Sequence, residues 1–205
     1  MPHLVLLGDS IFDNARYVPG EPDVVRQVRA ALPKGWTASL EAVDGATTRN
    51  VPSQTARLPK DATHLVVSMG GNDALGTSHI LYENVRQVAE AVLRLRDAQE
   101  RFATDYHAAL DAVLARGLPT AVCTIYDTPQ TRTEQPIIRT ALSVFNDVIS
   151  RAAFSQGLPL IDLRLICNED ADYANPIEPS ARGGEKMARA IARLVASEWQ
   201  MQVVV

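Results

Sequence analysis

Five short apolar runs and four stretches with helical spacing among and after them constrain this chain more than any other feature. The first is Leu4-Val5-Leu6-Leu7, within residues 3–7. Residues 36–43 follow, alternating apolar and polar as a half-exposed edge strand does. Residues 63–69 form a third run, continuously apolar through Leu65-Val66-Val67 and therefore central. Residues 118–126 and 158–163 are the fourth and fifth. Between them lie helical patterns: Val24, Val25, Val28, Ala31 and Leu32 after Pro22-Asp23, and a long stretch over residues 80–116. A third begins at Pro136 and a last one carries Met187, Ile191, Leu194 and Val195. The long stretch is polar on every side over residues 96–101, which predicts two helices or one bent helix. Strand–helix alternation means a parallel sheet with helices on both faces. The expectation is a three-layer α/β/α sandwich, its five strands in the order 2-1-3-4-5.

At 205 residues and 46% hydrophobic, residues 1–205 read as one domain with a core of useful size. The net charge of -4 and the lack of a basic block argue against a nucleic-acid partner. No apolar run approaches the roughly 18 residues of a membrane span, and residues 1–3 lead straight into a strand without a leader pattern. A cytoplasmic setting is expected. Cys123 and Cys167 are the only cysteines; Cys123, in a strand-like run, reads as a small buried hydrophobe.

An open parallel sheet places chemistry outside the carboxyl ends of its strands, near the point where strand order reverses. The segments leaving those ends are Gly8-Asp9-Ser10, Asp44-Gly45-Ala46, Gly70-Gly71-Asn72-Asp73 and Tyr126-Asp127. A serine, two glycine turns and an asparagine thus converge on one rim. They suit acyl transfer: a serine attacking an ester makes an oxyanion that needs donors already aimed at it. The main-chain N–H groups of Ser10 and Gly45 and the amide of Asn72 could supply three.

Gly8-Asp9-Ser10, Gly45 and Gly70-Gly71-Asn72-Asp73 resemble, in order and separation, the first three sequence blocks of the SGNH (GDSL-type) esterases and lipases. The resemblance extends over nearly the whole chain. It implies a flavodoxin-like fold, a nucleophile at Ser10, an oxyanion hole from Ser10, Gly45 and Asn72, a small-molecule ester as substrate and no cofactor. The fourth block departs. Where the family has an aspartate, two residues and a histidine, this chain has Asn175-Pro176-Ile177-Glu178.

Three readings of that departure compete. Glu178 is itself the base, its pKa raised by burial from the usual range near 4.3, with Asn175 hydrogen-bonding its carboxylate without adding a second negative charge. Alternatively a histidine enters from elsewhere. His3 and His64 lie at the amino ends of strands, on the wrong rim, and His107 is in mid-helix, which leaves His79 in the loop beyond Asn72. In the third reading the fold persists without hydrolysis, as a protein that binds an acyl, acetyl or sugar-like group. Asp9, Asp13, Asp73 and Asp127 lack the spacing of a magnesium site, and no phosphate-binding glycine loop opens the first helix. Asp9 and Asp73 are expected to anchor loop backbone. Asp13 and Asn14 shape a turn or line the pocket, which residues 97–104 and 127–135 border.

Overall fold

The computed structural model describes residues 1–199 and 203–204. The first strand, β1 (His3–Gly8), is buried at every position. Side chains alternate across a strand, and here both faces are covered. Leu4 and Leu6 enter one core, Val5 and Leu7 the other. The parallel partners are β2 (Thr37–Leu40) on one side and β3 (His64–Ser68) on the other. Beyond β3 come β4 (Thr120–Cys123), β5 (Leu160–Ile161) and a short β6 (Val203–Val204). The order is β2-β1-β3-β4-β5-β6, all parallel. The five anticipated strands therefore stand in the anticipated order 2-1-3-4-5, with β2 at an edge. The sixth strand, at the other edge, was not anticipated; two valines near the end of a chain carry no period.

One face of the sheet is covered by α1 (Val24–Ala31) and α7 (Ala181–Ala196), the other by α2 (Val51–Ala56), α4 (Val88–Leu114) and α5 (Gln135–Ser155). Asp23 caps α1 by accepting the Arg26 N–H, and Ser180 caps α7 by accepting the Gly183 N–H. Gly183 sits so close to the preceding loop that a Cβ would lie 2.2 Å from the Asp172 carbonyl oxygen. Two short helices, α3 (Gly71–Thr77) and α6 (Leu163–Ile166), follow β3 and β5.

The 80–116 stretch differs from expectation. Ser78–Tyr82 is a separate 3-10 turn, and α4 then runs unbroken through residues 96–101. The inward position there is Ala98, fully buried but too small to register in a pattern of large apolar residues. The outward face is supported by the Arg96–Glu100 ion pair one turn apart. No helix among the described residues is long and apolar enough to cross a membrane. Both cysteines are buried and free.

Candidate active site

The point of strand reversal lies between β1 and β3, and Gly8 ends β1 there. Its φ of +125° is open to glycine alone, and a Cβ would lie 1.7 Å from the Ser68 carbonyl oxygen on β3. Buried Gln54 of α2 holds the same residue: its Oε1 accepts the Gly8 N–H at 2.8 Å and its Nε2 donates to the Gly8 carbonyl at 2.7 Å. The Asp9 carbonyl then accepts the N–H groups of Phe12 and Asp13, and Asp9 Oδ1 accepts that of Ile11. This turn presents Ser10 at the rim.

The Gly45 and Asn72 segments are tied to that turn and to each other. Asp13 Oδ2 accepts the Asp44 N–H at 2.9 Å. Asn72 Nδ2 donates to the Ala46 carbonyl at 2.8 Å. Asp73 accepts both the N–H and the hydroxyl of Thr48, at 3.0 and 2.7 Å. Gly45 itself has a φ of +78°. Among the described residues neither the Ser10 nor the Gly45 N–H has a hydrogen-bond acceptor. The Asn72 amide keeps one N–H beyond that given to Ala46. Unpaired donors beside a serine hydroxyl are what a developing oxyanion requires.

The loop before α7 brings Glu178 to Ser10. Its backbone is fixed at successive carbonyls: Thr128 Oγ1 donates to Pro176 at 2.9 Å, Tyr126 Oη to Ile177 at 2.5 Å, and Asn14 Nδ2 to Pro179 at 3.2 Å. Glu178 is only 7% exposed, and its Oε2 has no hydrogen-bond partner. Burial pushes its pKa above the ordinary glutamate value. The neighbouring Ser10 hydroxyl opposes that rise; Asp44 adds to it and Arg16 opposes it. Asp9 is raised further, to about 7, chiefly by desolvation and against the Ile11 N–H, with Glu178 and Asp73 adding repulsion. Beside Ser10 a cavity of about 310 Å³ runs from Asp9, Ser10 and Asn72 toward α5, with Pro176 and Ile177 also in its wall.

Sequence comparison places the same segments in a known family. The model of the GDSL-like lipase/acylhydrolase family matches residues 6–186. The chain belongs to that family. No curated protein matches this GDSL-like chain by sequence. Among solved structures it is similar to an extracellular lipase from Streptomyces rimosus, at 17% identity and a TM-score of 0.67, with 96% of this chain and 99% of that one covered. A phospholipase A1 from Streptomyces albidoflavus NA297 superposes at 19% identity and a TM-score of 0.66, covering 96% and 98%. Est24, a carbohydrate acetylesterase from Sinorhizobium meliloti, does so at 14% identity and 0.63, covering 97% and 100%. These likenesses establish a shared fold.

Within this GDSL-like framework Ser10, Gly45, Asn72 and Glu178 come together as the sequence suggested. Asn175 does not act as expected. Its Oδ1 accepts the N–H groups of Ile177 and Glu178, at 2.9 and 3.0 Å, so it holds the glutamate's main chain and not its carboxylate. An amide three residues before the glutamate closes a local turn more readily than it reaches that side chain. His79 is 70% exposed beside Glu83 and forms no part of the cavity wall. Asp13 and Asn14 shape turns and do not line the cavity; Asn14 also accepts the Val24 N–H at the start of α1. From the two segments expected to border the cavity, Asp127, Thr128 and Arg132 do, and residues 97–104 do not. Gln54 and Arg16 were not singled out by sequence, and Tyr126 was named only as part of a rim segment. Each acts on a partner distant in the chain, and no local pattern marks such a partner.

Proposed function

We propose that this chain is a serine ester hydrolase in which Glu178 is the general base. Residues 1–205 act as one SGNH-type unit on a small-molecule carboxylic or acetyl ester, without nucleic acid. A cytoplasmic setting fits the two free, buried thiols. Ser10 Oγ attacks the ester carbonyl and passes its proton to Glu178. The oxyanion is received by the main-chain N–H groups of Ser10 and Gly45 and by the Asn72 amide. The intermediate collapses as Glu178 returns the proton to the leaving alcohol, giving an acyl-Ser10 ester. Water, deprotonated by Glu178, then attacks that ester, and Glu178 returns the proton to the departing Ser10 Oγ as the acid is freed. Asn175 is a positioning residue that sets the glutamate's main chain.

The observation that carries this reading is a buried carboxylate, Glu178, held beside the Ser10 hydroxyl with its pKa raised by burial. A carboxylate at its ordinary value is a weak base at neutral pH, and raising it toward the working range corrects that. The same observation favours one alternative. Arg16 and Ser10 both restrain the rise, and a base held too low would leave a protein that binds an acyl or carbohydrate ligand without hydrolysing it.

A fluorophosphonate probe is expected to label Ser10 and to fail on Ser10→Ala. Glu178→Gln is expected to lose about 10²–10⁴ in kcat/KM on a short activated ester. Activity falls as pH drops through the raised Glu178 pKa, because only the ionised carboxylate accepts the serine proton. Absence of both labelling and turnover across the pH range sinks the hydrolase reading; an undiminished Glu178→Gln protein removes the base alone.

A further inference from the structure

Resting on the reading of Ser10 as nucleophile, we propose that the cavity beside it takes an unbranched apolar acyl chain of medium length, hexanoyl to decanoyl. The leaving alcohol stays outside it.

The first support is the wall. Away from Ser10 it is built by Leu75, Leu81, Leu95, Ile138, Leu142 and Phe145, contributed by α3, the turn after it, α4 and α5. The threonine hydroxyls that border it are already engaged. Thr77 Oγ1 donates to the Ala74 carbonyl at 3.0 Å and Thr128 Oγ1 to the Pro176 carbonyl at 2.9 Å. A sugar ring placed against these six apolar side chains would leave its hydroxyls desolvated and unpaired, which is costly. A hydrocarbon chain loses nothing of that kind.

The second support is orientation. Ser10 and Asn72 belong to the wall, while Glu178 and Gly45 do not. The group that protonates the leaving oxygen must lie next to it, so the alcohol sits on the Glu178 side and the acyl chain on the other. The third is size. About 310 Å³ falls at the lower end of the ~300–1,000 Å³ typical of small-molecule sites, and an acetyl methyl would leave most of it unfilled. Each methylene moved from water into such a wall is worth about fourfold in binding.

The test is a series of nitrophenyl esters from acetyl to dodecanoyl, with kcat/KM measured on the full chain. Octanoyl is expected to exceed acetyl by at least about tenfold, several methylenes at about fourfold each. Ala141→Trp, which projects an indole into the cavity, is expected to reduce that octanoyl-to-acetyl ratio at least tenfold (~10). Acetyl turned over as well as octanoyl overturns the acyl pocket and leaves ester hydrolysis standing. If no ester is turned over, hydrolysis falls, and octanoate binding to Ser10→Ala, followed by calorimetry, decides the pocket. Saturable binding that Ala141→Trp weakens upholds it, and absence of binding overturns it.

Discussion

Arg16 and Asp44 act on Glu178 with opposite signs while bound to each other. The Arg16 guanidinium donates to Asp44 Oδ2 at 3.0 Å, and the Tyr17 hydroxyl lies 3.1 Å from both Asp44 oxygens. Arg16 favours the ionised glutamate and Asp44 the neutral one. The acid limb of a kcat/KM profile should therefore move to higher pH in Arg16→Ala and to lower pH in Asp44→Asn. Arg16 is largely exposed, so added salt should shrink the first shift. Profiles that coincide with the native one would mean that the limb belongs to another group. At this scale the sequence located residues well where their place follows from the rim, as for Ser10, Gly45 and Asn72. Asn175 was misread because a side-chain amide has several partners within reach, and only the folded loop selects among them.

Two buried amides finish strands whose own partners have run out. Gln54 pairs with both main-chain groups of Gly8, and Asn146 of α5 does the same for Ile125 after β4, at 2.8 Å in each direction. Each substitutes for the next residue of a neighbouring strand and stiffens the rim where the site is built. The Gly8 carbonyl also accepts the Val43 N–H, but Gln54 is the acceptor of the Gly8 N–H. Gln54→Leu therefore orphans one buried donor, at an expected cost of about 1–3 kcal/mol in denaturant unfolding. Ester turnover should drop with it, since the serine turn begins at Gly8. A variant as stable and as active as the native chain would show that the clamp is dispensable. Neither amide was legible in the sequence, because its partner lies 46 residues away for Gln54 and 21 for Asn146. The unbroken α4 was hidden differently: its inward surface narrows to Ala98 where the flanking residues are polar.

At the scale of the whole molecule, the buried Asp9 makes folding stability depend on pH. Its carboxyl has an ordinary pKa of 3.8 and is raised to about 7 in the folded chain, mainly by desolvation. Between those values the folded state holds more protons than the unfolded one. The stability linked to Asp9 is therefore complete below 3.8 and is lost as pH rises through about 7. Asp9→Asn keeps an acceptor for the Ile11 N–H and cannot ionise. Its unfolding midpoint relative to the native chain should climb steadily across that window. A constant difference would mean that Asp9 does not titrate there. The sequence by itself determined the layers, the order of the five principal strands and the rim on which Ser10, Gly45 and Asn72 meet. Alternation forces a parallel sheet, and a parallel sheet sends every strand's carboxyl end to one side. Only the tertiary structure decided that Glu178 meets Ser10 and that an apolar cavity opens beside it. Those depend on Asn14, Tyr126 and Thr128 gripping successive carbonyls of a distant loop, and on α3, α4 and α5 converging around one space. Such closures join residues far apart in the chain, where no local period can announce them.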